Sequence, residues 1–585
     1  MKSITIKTVY LLILLITLPL HSEIRYVSKT GSAQPPYTSW ATASDSIQKA
    51  INISSFGDTI YVANGVYKER IVMTPGLSLI GSGMDSCVID TRELLSPPNY
   101  VSAVITASYC IFQNFYLRVS DGLTGIGVKN FGVTYTKILN NYIYGSTEGV
   151  TVSYSSSFIE NNVINGGKGI NIAGSIDNKV LVRNNTIYVQ ENNTGIQISF
   201  GTRPTIINNV IYTNHRHAHG IYTGGSDTTK IFNNVVSSKG GYGIPLTNLQ
   251  TYCYNNLILG YFSAAGFRVG TQNNNFYNNN VSDSEIGVQS SPGNSIIKYN
   301  NSWNNSLNYA GLTPDSTNLS IDPMLVDTLD FHLQMYSPLI DAGEPSIFDK
   351  DSSRSDIGLY GGPYGESYIY KDYAPKPPKG LNVSADTSYI TLTWKKNTEA
   401  DLRYYRIFRD TTVNFSIDTS KLIGSPSNNI LVHSIPHSAK NFYYKITAVD
   451  SQENESLVSE EVGIILVSVD DKWHITNDYT LYPNYPNPFN PSTIIPFRLK
   501  ERGYVKLAVY DIKGELISYL VNEEKEAGYY EVEFNASRIQ HQVSSNQNIS
   551  SRIGYASGIY LYKIDIKNEN RIPVFTEVRK MVYIK

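Results

Sequence analysis

The sequence predicts an all-β fold that is dominated by a parallel β-helix. Two features recur along its first half with the same drifting period. One is a pair of adjacent asparagines, and the other is a glycine followed by apolar residues, as in "GINI" at 169 and "GIQI" at 195. Each repeat holds three short β-rich runs, and none has the 3.6-residue periodicity and length of a helix. The asparagine pairs begin at positions 140, 161, 184, 208, 233, 255, 279 and 300 of the 585-residue chain.

Three short strands and three bends, repeated about every 23 residues, make one coil of a parallel β-helix. Successive coils then stack at the strand spacing of about 4.8 Å. Asparagine tolerates the left-handed backbone of a sharp corner, and stacked carboxamides donate to one another, which satisfies buried amides. We therefore interpret the asparagine column as scaffold. Cys253 falls at an inward position, which predicts a buried thiol rather than a disulfide.

Both ends of the repeat region carry recognisable sequences. The opening contains "RYVSKTGS", "SWATASDSIQKAI" and "GDTIYVANGVYKERI", in which "SIQKAI" is predicted to be a short capping helix. The end is "DPMLVDTLDFHLQMYSPLIDAGEPSIFDKDSSRSDIGLYGG" at 322–362. Together these stretches resemble the right-handed β-helix proteins of the pectate-lyase-like superfamily. The resemblance implies a right-handed parallel β-helix of roughly a dozen coils over residues 23–370.

A proline-rich hinge, "YAPKPPKG", separates the repeats from a second region. This region contains "ITLTWKKN", "YYRIFRD" and "FYYKITAVD", and it resembles a fibronectin type III sandwich over residues 371–468. The resemblance implies that Trp394 is the core tryptophan and that Tyr443 or Tyr444 is the corner tyrosine. Such modules usually act as spacers.

The last part of the chain, residues 469–585, opens with "LYPNYPNPFNPSTIIPFRL" and closes on "RKMVYIK". It resembles the C-terminal sorting domain of the type IX secretion system, an Ig-like sandwich. Residues 538–555 depart from that pattern as an insertion. The resemblance implies that the type IX secretion machinery is a partner and that the protein crosses the outer membrane to be secreted or attached to the cell surface.

The N-terminus and the composition agree with export. Residues 1–22 combine Lys2 and Lys7 with a short apolar core, which is typical of a secretory signal peptide, and no later segment is predicted to span a membrane. The net charge is −2, with no long basic run, which argues against nucleic acid as the main partner. The 45 tyrosines and many asparagines suit polar or sugar-like ligands.

Catalytic motifs of β-helix enzymes are missing from residues 24–370. The region has no Asp-Asp dipeptide for an acid–base pair, and no Arg-x-Pro-x-x-Arg phrase. The remaining candidates are His217 and His219 of "NHRHAHG", or Lys230. In an extended backbone, alternation would point these histidines and His215 to one side, where they could bind a transition metal or supply a base. A solvated polar loop is the alternative. No motif indicates a metal, although calcium remains open.

A binding surface is the second hypothesis. Assuming strict alternation before each asparagine pair, several aromatic side chains are predicted to share one outward sheet face, where they could stack on sugar rings. The alternative is that a loop or the following domain covers them. Arg268, outward in "GFRV" with Tyr222 two coils earlier, could bind a uronate carboxylate. The predicted aromatic residues are Phe232, Tyr252, Tyr254, Phe276 and Tyr299.

The sequence therefore predicts an exported β-helix protein that binds polysaccharide. Two alternatives stay open: a polysaccharide lyase or glycoside hydrolase with an unrecognised active site, and a purely structural or adhesive surface protein. The ligand and the oligomeric state are left open.

Overall fold

The structure is a computed structural model. It describes residues 22–94, 100–120, 122–129, 132–174, 179–199, 201–225, 228–247, 250–260, 264–386, 388–435, 441–466, 479–537 and 556–584. The predicted signal peptide, apart from Ser22, and the insertion at 538–555 lie outside these residues. Among the described residues, no helix has the length and apolar character of a membrane span.

The predicted parallel β-helix is confirmed. Its strands form three parallel sheets, named here sheets A, B and C, and each coil contributes a strand to each sheet in turn. Within the described residues sheet A has 12 strands and sheets B and C have 11 each. Sheet A comprises Ile24–Val27, Thr59–Val62, Ser78–Gly81, Ile111–Gln113, Thr136–Leu139, Ser157–Glu160, Val180–Arg183, Thr205–Ile207, Thr228–Phe232, Gln250–Tyr254, Asn275–Tyr277 and Ile296–Lys298. Sheet B comprises Gly65–Tyr67, Cys87–Asp90, Tyr116–Arg118, Tyr142–Tyr144, Val163–Gly166, Thr186–Val189, Val210–Thr213, Val235–Ser238, Leu257–Leu259, Asn280–Ser282 and Asn301–Trp303. Sheet C comprises Ile71–Met73, Val101–Ile105, Thr124–Val128, Glu148–Ser153, Lys168–Ala173, Thr194–Ile198, His219–Thr223, Tyr242–Leu246, Ala265–Val269, Ile286–Ser290 and Leu307–Ala310.

The asparagine ladder runs along the bend between sheets A and B. The second asparagine of a pair is buried, and its Nδ2 donates to the Oδ1 of the equivalent residue in the next coil, as from Asn185 to Asn209 at 2.9 Å. The first member, such as Asn184 with φ 58°, occupies the left-handed corner. The interpretation of this column as scaffold is confirmed. The ladder comprises Asn141, Asn162, Asn185, Asn209, Asn234, Asn256, Asn279, Asn300 and Asn318.

A glycine column explains the second repeated phrase. In sheet C the glycines of the phrases from Gly125 to Gly266 each lie against the glycine carbonyl of the next coil and an aliphatic side chain of sheet B. A Cβ on Gly195 would lie 2.5 Å from Ile211 Cγ2 and 2.7 Å from the Gly220 carbonyl oxygen. No side chain fits there, so the coils approach closely only with glycine.

Both ends of the solenoid are covered. The predicted capping helix spans Ile47–Asn52 and buries Ile47, Ala50 and Ile51. At the other end the closing segment, defined here as residues 322–370, folds back over the last coils. Leu333, Leu339 and Ile357 form its own small core. Caps of this kind hide the strand edges that a solenoid end exposes.

The fibronectin-like region is an antiparallel sandwich. One sheet holds Lys379–Ala385, Tyr389–Lys395 and Ile430–Ser434, and the other holds Leu402–Asp410, Leu422–Gly424, Asn441–Asp450 and Val462–Ile465, with a 3-10 helix at Thr419–Lys421. Trp394 is buried against Tyr405, with ring centroids 5.0 Å apart, so it lies in the core as expected. Of the two candidate corner tyrosines, Tyr444 is the buried one, and its hydroxyl lies 3.1 Å from His433 Nε2.

The described residues from 465 onward form a separate compact unit. It is a second antiparallel sandwich with a core of its own that includes Phe497 and Tyr562. One sheet holds Thr480–Leu481, Ser492–Leu499 and Gly528–Asn535, and the other holds Gly503–Tyr510, Leu516–Lys525, Gly558–Lys567 and Pro573–Tyr583.

Candidate functional site

The aromatic surface predicted on sheet A is not an open face. Phe232 is only 8% exposed, because the Tyr364 ring of the closing segment stacks on it at 5.4 Å. Tyr252 and Tyr254 are half-buried beside it. Asn233 Nδ2 donates to the carbonyl oxygens of Leu359 and Gly361, which fixes the segment to the coil corner.

The predicted register was also wrong in the last two coils. The corner residues are Asn278 and Tyr299, both with φ 55°, so the ladder uses the second residue of each Asn278-Asn279 and Tyr299-Asn300 step. Phe276 therefore points inward, is fully buried and packs on Phe267, with ring centroids 4.8 Å apart. Tyr299 lies at the corner under Arg354 rather than on the sheet face.

The three histidines of "NHRHAHG" do not share one side. Residues 215–218 form a turn, closed by the Ala218 N–H donating to the His215 carbonyl, instead of an extended strand. His215 and His217 have ring centroids 5.9 Å apart, and Arg216 Nε donates to His217 Nε2 at 2.8 Å. His219 belongs to sheet C instead.

Lys230 is not near these histidines in the sheet layout. It is an exposed residue of sheet A, where it pairs in register with Thr205 and Tyr252. His219 and Lys230 thus occupy different sheets of the solenoid, and the structure does not bring these candidates together. Glu160 and Arg183 form the cross-strand ion pair expected from their register, at 2.7 Å.

The outer side of sheet C is where polar and aromatic side chains do converge. Its strands alternate, so inward Ile and Val residues leave the intervening side chains half-buried or exposed. Residues at equivalent positions of successive strands form rows because the strands are parallel and in register. We name this surface the sheet C face; it comprises Glu148, Lys168, Asn171, Gln197, His219, Tyr222, Tyr242 and Arg268.

The early part of the sheet C face is a network around Glu148. Lys168 Nζ lies 3.1 Å from Glu148 Oε1, and Asn171 Nδ2 donates to the same oxygen at 3.2 Å. Thr151 donates to the other carboxylate oxygen at 2.9 Å. The carboxylate is thus held in place, with the Asn171 amide beside it.

The later part is an aromatic group. The His219 ring lies 5.7 Å from the rings of both Tyr222 and Tyr242, and the Arg268 guanidinium lies 5.6 Å from the Tyr242 centroid. Burial lowers the pKa of His219, so the imidazole is neutral near pH 7, and its Nδ1 accepts from the Tyr242 N–H at 3.3 Å. The sequence placed Arg268 and Tyr222 on one face and grouped His219 with His215 and His217; Tyr242 was missed because only the register places it beside His219.

A second grouping had no sequence signal. Asp372, Asp401 and Asp450 place carboxylate oxygens within 4.8 Å of one another where the hinge meets two loops of the fibronectin-like region. Burial raises the pKa of Asp401, with the neighbouring carboxylates adding to the effect. Among the described residues this is the one such group of three metal-capable side chains. Calcium prefers oxygen ligands of this kind but takes six to eight of them.

Comparisons with known proteins concern mainly the β-helix. A search of curated proteins found no match. Among solved structures, the spore cortex lytic enzyme SleM of Clostridium perfringens is 23% identical over 18% of this chain and 32% of its own, with a TM-score of 0.13. The pectate lyase Pel9A is 16% identical over 58% of this chain and 96% of its own, with a TM-score of 0.38. The alginate lyase AlyGC of family PL6 is 15% identical over 57% of this chain and 58% of its own, with a TM-score of 0.32.

The family model described as "Periplasmic copper-binding protein (NosD)" matches residues 51–235 and 177–314. These ranges run from the capping helix to just beyond the last strand of sheet C. Over this part the chain is therefore similar to the NosD family, and the similarity is to its parallel β-helix.

Proposed function

We propose that this chain is an exported protein whose β-helix binds polysaccharide on the sheet C face. The observation that carries the proposal is the row of amide, aromatic and cationic side chains from Asn171 through Tyr222 to Arg268. Aromatic rings can stack on sugar rings, and an arginine recognises a carboxylate through two parallel hydrogen bonds. The exposed guanidinium of Arg268 and the nearby tyrosines suit a polymer that contains uronic acids.

The small number of carboxylates on this face favours binding without hydrolysis. Glycoside hydrolysis ordinarily uses two carboxyl groups on either side of the scissile bond. Within the described strands of sheet C, Glu148 is the single carboxylate, and Lys168, Asn171 and Thr151 already engage it. The neutral His219 is a candidate base on the face, but the Tyr242 backbone N–H already donates to its Nδ1.

Export is part of the proposal. The signal peptide of residues 1–22 would direct the chain out of the cytoplasm, and residues 469–585 would act as a sorting domain for the type IX machinery. Residues 371–468 would then be a spacer between the β-helix of residues 23–370 and the sorting domain. The family model supports a location outside the cytoplasm, since it describes periplasmic proteins.

Substitution on the sheet C face is expected to weaken binding of acidic polysaccharide. Tyr222→Ala and Arg268→Ala should each lower the affinity for alginate or polygalacturonate about tenfold, which corresponds to 1.4 kcal/mol. Affinity electrophoresis of the full chain in gels with and without polymer measures this. Tyr389→Ala and Arg183→Ala, which alter an exposed tyrosine and an arginine away from the face, are the matched controls.

The same experiment separates the alternatives. Formation of new reducing ends or of unsaturated products, abolished by His219→Ala, would contradict a purely binding role and establish an enzyme. Unchanged migration of the parent chain with every acidic polymer would contradict the proposal and favour a structural role.

Copper fits the described residues poorly, although the matching family is described as copper-binding. Copper sites use several imidazole or thiolate ligands. Among the described residues these histidines are not one of the groups whose ligand atoms lie within 4.8 Å of one another, and Arg216 places a positive guanidinium on His217. The three histidines therefore do not form a three-ligand site.

The chain is accordingly expected to bind Cu²⁺ no more tightly than its His215→Ala, His217→Ala double variant. Isothermal titration with Cu²⁺ at pH 7 measures the difference. Stoichiometric binding by the parent that the double variant loses would show that the histidine turn is a copper site after all.

A further inference from the structure

The outer side of sheet B carries two stacks of tyrosines. Tyr116 and Tyr142, from successive coils, have ring centroids 4.8 Å apart, and Tyr188 and Tyr212 are stacked at 5.1 Å with nearly parallel rings. Tyr144 lies on the same side as Tyr142. These rings are not core residues, since Tyr144 and Tyr188 are 45% and 42% exposed. Large exposed aromatic groups of this kind mark interaction surfaces.

One coil interrupts the row of tyrosines that contains Tyr144, Tyr188 and Tyr212. Tyr144, Asn165 and Tyr188 occupy the same position of three successive strands, so a small amide lies between two aromatic rings. Two strand spacings separate the backbones of Tyr144 and Tyr188 by about 10 Å. A ring inserted between two aromatic rings needs two centroid distances of about 4.5–5 Å each, which matches this gap. Gln190 Nε2 donates to Asn165 Oδ1 at 2.7 Å, which places a second amide at the gap.

The closing segment bounds this surface on one side. It covers the later strands of sheet B, where Val235 and Leu257 are buried, and reaches the coil of Tyr212, where the Asn208 amide donates to the Tyr364 carbonyl. A cleft of about 400 Å³ lies there. Val210, two residues before Tyr212 on the same strand, lies in the cleft, so the cleft adjoins the tyrosine stacks. Other lining residues are Asn184, Asn208, Lys350, Tyr360, Tyr364 and Glu366.

The strands around the gap are uncharged. The four strands Tyr142–Tyr144, Val163–Gly166, Thr186–Val189 and Val210–Thr213 contain no Asp, Glu, Lys or Arg. Arg118, beside Tyr144 on the preceding strand, pairs in register with Asp90, and its guanidinium lies over the Tyr116 ring at 4.9 Å. The cleft is lined by one cation, Lys350, and one carboxylate, Glu366. A uronate would therefore find no excess of cations between Tyr144 and the cleft, whereas amides and tyrosine hydroxyls can bond to sugar hydroxyls.

We propose that the sheet B tyrosines and the adjoining cleft form a second carbohydrate site, which takes a neutral polysaccharide and holds one sugar ring between Tyr144 and Tyr188. This site is independent of the sheet C face, which lies on another sheet and carries Arg268 and Lys168. The two sites would let one solenoid hold a neutral and an acidic polymer together.

The test uses the full chain with laminarin, xyloglucan, mannan and cellohexaose as neutral probes and with alginate as the acidic probe. Tyr144→Ala and Tyr188→Ala are each expected to weaken binding of the neutral probe at least tenfold and to leave alginate binding unchanged. Tyr222→Ala on sheet C is expected to do the reverse. Tyr188→Phe, which keeps the ring, is expected to retain binding within about threefold, and an unaltered thermal unfolding curve shows that each variant folds.

Two results would overturn the proposal. One is that the parent binds none of the neutral probes, and the other is that Tyr144→Ala and Tyr188→Ala bind them as the parent does. Either result leaves the sheet C proposal standing if alginate is bound. If the parent binds a neutral probe but not alginate, and Tyr188→Ala weakens the neutral binding, the result contradicts the sheet C proposal and supports this one.

Discussion

Asn209→Ala is expected to destabilise the β-helix by about 3–5 kcal/mol, because each buried polar group left without a partner costs about 1–3 kcal/mol. The Asn209 Oδ1 accepts from both the backbone N–H and the Nδ2 of Asn185, at 3.0 and 2.9 Å. Its own Nδ2 donates to the Val182 and Ile207 carbonyls and to Asn234 Oδ1. Alanine removes all five hydrogen bonds inside a fully buried bend, where water cannot replace them.

Urea unfolding followed by tyrosine fluorescence and by protease resistance measures this loss. Asn208→Gly is the control, because Asn208 is exposed and its φ of 55° suits glycine. We expect the control to change the free energy of unfolding by less than about 1 kcal/mol. Equal effects of the two substitutions would show that the ladder does not stabilise the solenoid.

Gly195→Val is expected to be at least as damaging, and Gly195→Ala somewhat less so. Overpacking a close-packed core typically costs about 1–3 kcal/mol and occasionally more. Here the added Cβ meets a backbone oxygen of the next coil at 2.7 Å as well as Ile211 Cγ2 at 2.5 Å, and a backbone oxygen moves only if the coil moves. We expect soluble yield of the valine variant to collapse and the alanine variant to lose about 3 kcal/mol.

Gln197→Val is the matched control for this prediction. Gln197 lies two residues along the same strand and points outward, and its substitution introduces the same β-branched side chain. Its unfolding free energy should stay within about 1 kcal/mol of the parent. If Gly195→Ala also stayed within that range, close approach of the coils would not be what requires glycine.

Local repetition made most of the fold predictable. The asparagine and glycine columns, the buried Cys253 and the capping helix all depend on the same repeat of strand and bend, and each was located from the sequence. The register failed in the last two coils, where the pairs beginning at Asn279 and Asn300 were each placed one residue too late. Three consecutive asparagines, Asn278 to Asn280, offer two equivalent pairings, and strict counting chose the later pair, which turned Phe276 outward. In the structure Asn278 takes the corner, and Tyr299 takes the same left-handed position one coil later.

The candidate sites were less predictable because they depend on contacts between distant parts of the chain. Nothing near Phe232 in the sequence shows that Tyr364 covers it, more than a hundred residues later. His219 was singled out with its sequence neighbours His215 and His217, whereas its real neighbour Tyr242 belongs to the next coil. The tyrosines of sheet B were missed for a related reason, since Asn165 interrupts their column. Only the observed register places Tyr144 and Tyr188 on either side of it.

The asparagine ladder also gives the solenoid a polarity. Each ladder amide from Asn141 to Asn300 donates through its Nδ2 to the Oδ1 of the next coil toward the C-terminus, so the amide-to-amide bonds all run one way and the two ends differ chemically. At the N-terminal end the Phe115 N–H donates to Asn141 Oδ1, and at the C-terminal end the Asn318 amide donates to the carboxylate of Asp315. In an internal coil the ladder amide accepts a hydrogen bond from the amide of one neighbouring coil and donates one to the amide of the other. Duplication or deletion of one whole repeat would therefore leave no amide unpaired, and the faces of sheets B and C could lengthen or shorten in steps of one coil between unchanged ends.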